Sequence, residues 1–267
     1  MTEPTVLFEL DKRGIATVTL NRPERNNAYN QELLETATDL LKQAEVNESI
    51  RLILLRANGR HFQAGVDLNW AAEIAAGGES DNLAASRLTA DFVRNLDNCS
   101  KPTVALVQGA VVGGGTGIVA ACDIVLAASD ATFAISEARW GLVANPIFPQ
   151  LINAIGTRNL RRYAMTCERF DAVRAREIGL VHEVCDNKDL LESAQPIIEG
   201  LLRAGPQALM QSKRAITQLC EDQLSDHSWQ QLIDSHAAKR LSDEAVEGIN
   251  SFKEKRDPAW YPNPKHQ

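Results

Sequence analysis

The chain is poor in the patterns that mark several large protein classes, and each shortage excludes something. Its five cysteines, Cys99, Cys122, Cys167, Cys185 and Cys220, are odd in number, widely spaced and mostly set among apolar residues. They give neither a disulfide framework nor a metal-type pairing, so reduced thiols in a cytoplasmic protein are expected. The histidines His61, His182, His227, His236 and His266 show no ligand spacing, and no Ser or Cys sits in a nucleophile elbow, so no metal site is expected. With 28 Lys+Arg against 35 Asp+Glu the net charge is −7, and no basic block is there to track a phosphate backbone. Nucleic acid is therefore not an expected partner. The opening MTEPTVLFELD has neither a basic region followed by an apolar stretch nor an Arg/Ser-rich amphipathic pattern, and no secretory or organelle signal is expected. Low-complexity tracts and strict internal repeats are missing too.

What is there suits a large core, because 267 residues suffice for one big domain or a main domain with a small appendage. Val6 to Leu10 and Ile15 to Leu20 read as strands joined by the turn Asp11-Lys12-Arg13-Gly14. NRPERNNAYN breaks the pattern and leads into a helix with Leu33, Ala37, Leu40, Leu41 and Ala44 on one face. Leu52 to Leu55 is wholly apolar, as in a buried parallel strand. GRHFQAGVDLNW is a loop ending at Asp67, the expected N-cap of a helix through Ala76. GGESDN reads as a flexible break before a helix from Leu83 to Leu96, and Lys101-Pro102 starts the next strand. Strands alternating with helices predict a mostly parallel sheet covered by helices. After a short strand, ATFAIS, and a loop with two prolines, GLVANPIFPQ, the chain reads as predominantly helical from Asn153. Periodic segments run from Asn187 to Arg203, Gln207 to Cys220, Ser228 to Arg240 and Ser242 to Lys255. The expected division is an α/β core over 1–204 and a helical region over 205–267, at Ala204-Gly205-Pro206.

The run from Thr103 to Ala128, TVALVQGAVVGGGTGIVAACDIVLAA, organises the rest. It passes from branched apolar residues through Gly113, Gly114, Gly115 and Gly117 into a short helical stretch, the order strand, turn, helix start. Glycines at such a junction leave amide N–H groups pointing at whatever lies above the helix, where negative charge is stabilised. Other readings compete. A membrane span has the length, but Gln108 and Asp123 interrupt it and no basic flank anchors it. A dinucleotide-binding turn fits Gly115, Gly117 and Ala120, but the helix has room for only about two turns where that fold usually has more. Close packing of glycines with no ligand is the third.

Two loops each put backbone amides after a buried strand: Ala64-Gly65-Val66-Asp67 and Gly113-Gly114-Gly115. Brought together, they would aim two N–H groups at one oxygen, as an oxyanion hole does. Glu137, after ATFAIS and ahead of Trp140 and Gly141, is the acid or base candidate. It either projects from a strand end into an apolar pocket with a raised pKa or is a solvated surface residue.

GRHFQAGVDL, QGAVVGGGTGIVAACDIVLA and FAISEARWGL, in this order and at these separations, resemble the enoyl-CoA hydratase/isomerase (crotonase) superfamily, and the resemblance covers nearly the whole chain. The strings DLNW, DNLAAS, SEARWGLV, AIGTRNLRRY, ERFDAVRAREIGLVHEV and AGPQAL look most like bacterial methylglutaconyl-CoA and isohexenylglutaconyl-CoA (γ-carboxygeranoyl-CoA) hydratases. The resemblance implies an α/β crotonase-type core of repeated ββα units with a helical C-terminal region, packed as trimers or dimers of trimers. It implies an acyl-CoA substrate, with coenzyme A part of that substrate and no separate cofactor, and no membrane partner. The thioester oxygen would be held by the N–H groups of Val66 and Gly114. Ala64, Asp67 and Leu68 would line the CoA path, Arg25 would meet CoA phosphates, and Phe252 and Lys255 would reach CoA across a subunit contact. The sequence departs from the two-base hydratases at Gly117, where they carry a first Glu; Glu137 keeps the second position. The expected activity is reversible hydration of a branched, glutaconyl-type 2-enoyl-CoA, whose second carboxylate would meet Arg139, with Asn145 as a weaker neutral partner, unless Arg139 lies on the opposite side of the segment or pairs with a surface acid. An isomerase of enoyl-CoA double bonds and a non-catalytic acyl-CoA binder are the alternatives.

Overall fold

Asp11 Oδ1 accepts the N–H groups of Arg13 and Ile15 at 2.8 and 2.9 Å, and Gly14 takes a φ of 84°, closing the turn between β1 (Val6–Leu10) and β2 (Ile15–Leu20). The structure is a computed structural model that describes residues 3–186, 190–221 and 243–262, with the side chains of 219–221, 246, 252 and 253 left out. The antiparallel hairpin starts a six-stranded sheet that continues in parallel through β3 (Leu52–Ala57), β4 (Thr103–Val107), β6 (Ile124–Ala128) and β9 (Glu183–Cys185). A second sheet joins β5 (Ala110–Val112) in parallel to β7 (Thr132–Ala134), with β8 (Phe170–Asp171) antiparallel at its edge.

The unbroken apolar character of the central strands has a direct cause, because both faces of the large sheet are covered. Along β3, Ile53 and Leu55 enter the main core, with Leu33, Ala37 and Leu41 of α1 (Gln31–Val46) and Phe92, Val93 and Leu96 of α3 (Glu79–Asp97). Their neighbours Leu52 and Leu54 point the other way, into a second core with Ala194, Ile198 and Leu202 of α7 (Leu190–Arg203). Alternation with period two thus divides one apolar strand between two cores. The strand–strand–helix unit recurs: β1, β2 and α1; β4, β5 and α4 (Gly114–Ala120); β6, β7 and α5 (Phe148–Thr166).

Several expectations need correction. The helix expected from Leu83 begins at Glu79 inside GGESDN, where Asp81 Oδ2 accepts the Gly78 N–H at 3.1 Å and Asn82 Nδ2 donates to Ile74 O at 2.8 Å. These side-chain bonds hold the break after α2 (Leu68–Ala76) in order. The chain beyond Asn153 is predominantly helical, with α6 (Ala172–Glu177) among its helices, but β8 and β9 also lie there and β9 extends the large sheet. Strands of two or three residues are too short to show a period-two pattern, which is why the sequence hides them. The prolines of GLVANPIFPQ stand in a 3-10 turn (Asn145–Ile147) and in the first turn of α5, where a missing N–H costs nothing. The helix expected over Ser228 to Arg240 lies outside the described residues. The described helices on either side of it are α8 (Pro206–Glu221), whose Lys213 pairs with Asp123 at 2.7 Å, and α9 (Asp243–Glu254), whose Glu244 accepts the Gln207 and Ala208 N–H groups. Among the described residues no helix is long and apolar enough to cross a membrane, and the glycine run is a buried strand, a turn and a helix of seven residues.

Candidate active site

A single pairing sets the two glycine loops side by side. Gln63 forms a parallel bridge with Val111, its N–H donating to Ala110 O at 3.2 Å and its C=O accepting from the Val112 N–H at 2.9 Å. Counting forward from that pairing, Val66 and Gly114 each stand three residues on, one in each of the two loops that leave the bridge side by side. The Gln63 side chain, fully buried, grips the first loop through both its atoms: Oε1 accepts the Gly65 N–H at 2.7 Å and Nε2 donates to Gly65 O at 3.0 Å. Gly65 has a φ of 91°, and a Cβ there would stand 3.3 Å from Val112 O. Tyr29 then pairs with the loop, its N–H donating to Gly65 O and its C=O accepting the Asp67 N–H at 2.9 and 2.8 Å. This pairing uses the amides on either side of Val66 and turns the Val66 N–H away. In the second loop the Gly113 N–H donates to Ala134 O at 2.8 Å, and its φ of 56° starts α4 so that Gly114 contributes the helix's first N–H. Neither the Val66 N–H nor the Gly114 N–H has an acceptor among the described residues.

Glu137 comes to this point from β7. It opens a 3-10 turn (Glu137–Trp140), with Oε1 3.0 Å from where a Cβ on Gly113 would stand. Its Oε2 is buried with no hydrogen-bond partner among the described residues. Burial pushes the carboxyl above its ordinary range, and its own N–H and that of Ser136 only partly oppose this. The reading of Glu137 as a solvated surface residue is thereby set aside. Gly117, where a first carboxylate was sought, faces apolar packing: a Cβ built there would lie 2.1 Å from Ile147 Cγ2.

Sequence reasoning missed four residues that shape the site: Tyr29, Gln63, Ile147 and Arg22. The Tyr29 ring lies against Gly114, with Cε1 and the hydroxyl each 2.7 Å from where a Cβ would stand, and it meets Trp70 edge-on at 6.2 Å. Burial pushes its phenol far above the ordinary value, the charge of Glu137 adds to this, and a hydrogen bond with Thr89 only partly opposes it. Arg22 pairs with Asp67 at 2.9 Å, both side chains being nearly buried. The Asp67 carboxylate also caps α2 by accepting the Asn69 N–H at 2.9 Å. Burial raises Asp67, but the Arg22 hydrogen bond, the Asn69 N–H and the Arg22 charge together hold it below the usual carboxylate range. Any signal for these residues is weak in one sequence: a Tyr after an Asn-rich break, and an Arg before a Pro.

The other expected residues spread along the same edge. Arg25 ends an exposed 3-10 turn (Pro23–Arg25) and shares an open cleft of about 390 Å³ with Asp67 and Trp70. Ala64 is half-buried, while Leu68 at the start of α2 is 74% exposed. Arg139 is exposed, two-thirds of a turn round the 3-10 helix from Glu137, and no carboxylate among the described residues pairs with it. Lys255 is exposed just past α9, and the Phe252 side chain lies outside the described residues. Cys99, Cys122, Cys167 and Cys185 are free thiols, and the Cys220 side chain also lies outside the described residues. Among the described residues no group of three or more His, Cys, Asp or Glu side chains is placed to hold a metal.

Two unengaged N–H groups beside a buried carboxyl polarise a carbonyl and move a proton next to it. Known proteins with this framework act on CoA thioesters by name. The family model described as enoyl-CoA hydratase/isomerase matches residues 11–263. A solved structure of an enoyl-CoA hydratase from Shewanella pealeana superposes with a TM-score of 0.91 at 36% identity, covering 96% of each chain. The mevalonyl-coenzyme A hydratase of Aspergillus fumigatus is 30% identical over 265 residues, covering 97% of both chains. The 1,2-epoxyphenylacetyl-CoA isomerase of Escherichia coli is 31% identical over 256 residues, covering 93% of this chain and 95% of its own. The dinucleotide-binding reading of the run thus gives way, and the chain belongs to the enoyl-CoA hydratase/isomerase family.

Proposed function

We propose that the protein adds water reversibly to a 2-enoyl-CoA thioester. The observation that carries this reading is one buried carboxyl, Glu137, with an unpartnered oxygen beside two unengaged backbone N–H groups. In the hydration direction the thioester oxygen accepts the N–H groups of Val66 and Gly114, and each such donor is typically worth roughly a hundred- to a thousandfold in rate. Glu137 takes a proton from water as the water oxygen bonds to C3, electrons move to the thioester oxygen, and the same carboxyl returns the proton to C2. H and OH are added, and Glu137 ends as it began. No cofactor beyond the CoA carried by the substrate takes part.

The acyl group we favour is branched and of the glutaconyl type, and the support for this is Arg139. It is an exposed cation two residues from Glu137, with no carboxylate partner among the described residues. A second substrate carboxylate at the site needs such a partner, because an unpaired buried charge costs several kcal/mol. Arg139→Leu is expected to cost roughly 2 to 5 kcal/mol in kcat/KM on a glutaconyl-type substrate and little on crotonyl-CoA; equal losses on both remove Arg139 from this role. In the same reading Ala64, Asp67 and Leu68 line the CoA path, Arg25 meets CoA phosphates, and residues 205–267 form trimer contacts through which Phe252 and Lys255 reach a neighbour's CoA in the cytoplasm.

A second reading, movement of the double bond, is favoured by the apolar packing of Ile147 at Gly117, since a single carboxyl suffices to carry a proton between carbons. Turnover of a panel of 2- and 3-enoyl-CoAs separates the two. Hydration adds the mass of one water and removes the conjugated thioester absorbance; isomerisation leaves the mass unchanged. Acyl-CoA affinity with no turnover on any member of the panel leaves only a binding protein.

A further inference from the structure

Hydration of the enoyl-CoA, the reading on which this inference rests, has one requirement that Glu137 alone does not meet. A water that attacks C3 needs a second hydrogen-bond partner to hold its lone pair on line, and packing against Ile147 keeps a carboxylate from position 117. The polar side chain that comes to this place is Tyr29. Its backbone pairs with the loop that carries Val66, its N–H on Gly65 O and its C=O on the Asp67 N–H. Its phenol lies against Gly114, the other half of the expected oxyanion hole, so closely that any side chain at 114 would collide with it. The glycine pair Gly113-Gly114 therefore carries a carboxyl over one residue and a phenol over the next, both from segments distant in sequence.

We propose that the Tyr29 hydroxyl is the second polar group of the reaction centre, holding the nucleophilic water against Glu137. Three structural features suit it to this. The Trp70 edge contact and the backbone pairing fix the ring from both ends. A phenol in so buried a place stays neutral, so it gives and takes a hydrogen bond across the working pH range without adding a second negative charge near the developing oxyanion. The Glu137 carboxyl, whose charge reaches the phenol, has a buried oxygen with no partner among the described residues, and the phenol itself shares a hydrogen bond with Thr89 that a bound water would join. Tyr29 breaks and makes no covalent bond: the proton leaving water goes to Glu137 and returns to C2, and the phenol only orients.

This role separates hydration from the other chemistry of the site. Exchange of a C2 proton with solvent on a saturated acyl-CoA uses Glu137 and the two N–H groups but no attacking water. Tyr29→Phe keeps the ring, its packing on Gly114 and its contact with Trp70, and removes one hydroxyl. In this variant we expect kcat for hydration to fall about tenfold or more, the loss typical of a hydrogen bond in an enclosed site. KM for the enoyl-CoA and the rate of C2 deuterium exchange on butyryl-CoA in D2O should stay within about twofold, and Glu137→Gln should lose both reactions. Hydration unchanged in Tyr29→Phe overturns the proposal and shows the residue to be packing alone. Equal loss of hydration and exchange also overturns it, because the hydroxyl would then support the proton transfer itself and not the water. A wild-type protein that shifts double bonds with no gain of water overturns the hydratase reading and this one with it, whereas a wild type that hydrates leaves the two questions separate.

Discussion

Gly117 offers the sharpest test of how the site is packed. A Cβ placed there would lie 2.1 Å from Ile147 Cγ2 and 2.4 Å from Ile147 Cβ, both far inside any real contact. Ile147 has no room to yield: it is 2% exposed, β-branched and therefore stiff at χ1, and it ends a 3-10 turn opened by Asn145 and Pro146. Relief has to come from the backbone of that turn or of α4, so Gly117→Ala should destabilise the protein by about 1–3 kcal/mol, the range for overpacking a well-filled core. For a chain of this size that lowers Tm by roughly 2–12 °C. Ile147→Ala alone opens a cavity and should cost about 2–5 kcal/mol. In the double variant the new methyl group occupies part of the space that Ile147 leaves, so the combined loss should fall short of additivity by about 0.5–3 kcal/mol. Urea denaturation of the wild type, both single variants and the double variant, followed by circular dichroism, measures the whole cycle. A Gly117→Ala protein within about 0.5 kcal/mol of wild type, or a cycle that is strictly additive, would refute the reasoning. The same geometry predicts that Gly117→Glu fails to fold unless Ile147 is trimmed as well.

Other parts of the molecule give three more expected outcomes. Glu137→Gln should lower turnover at least about a hundredfold with CoA affinity nearly intact; because the raised Glu137 makes the folded state bind more protons than the unfolded one, wild-type stability should fall as pH rises from the ordinary carboxylate range through the raised value, and the variant should lose that slope, as unfolding midpoints across pH will tell. Arg22→Ala strands the nearly buried Asp67 carboxylate and should cost about 3 kcal/mol; Asp67 is held low, so its stabilisation is present above the unfolded carboxylate pKa and lost as pH falls through the folded value, and an acid-side loss as large in the variant as in wild type contradicts the pairing. Ile216 on α8 and Ile249 on α9 are 62% and 52% exposed, and light scattering should give a mass near a trimer or a multiple of it, with a monomer at micromolar concentration as the contrary result.

The local parts of this structure were legible in the chain. The Asp11 to Gly14 turn, the α1 stripe of Leu33, Ala37 and Leu41, the N-cap at Asp67 and the glycine junction at Gly113 each depend on residues within a few positions of one another, where backbone sterics and side-chain spacing act directly. The wholly apolar strands likewise announced a sheet covered on both faces. Glu137 was named from its place after a strand, but its state was not, because burial depends on what packs around Gly113 and not on its neighbours in sequence.

What the tertiary structure alone decided lies across long separations. Nothing within either loop says that Gln63 pairs with Val111, the bridge that sets the two loops side by side. That Ile147 occupies the space of a side chain at 117, that Arg22 clamps Asp67, and that Tyr29 joins one loop by its backbone and the other by its ring are likewise contacts between segments 30 to 85 residues apart. Sequence periodicity reports which face of an element is apolar, but which partner that face meets is fixed by packing the whole chain at once. The sequence therefore determined the elements and their order, and the close packing of distant segments determined the chemistry between them.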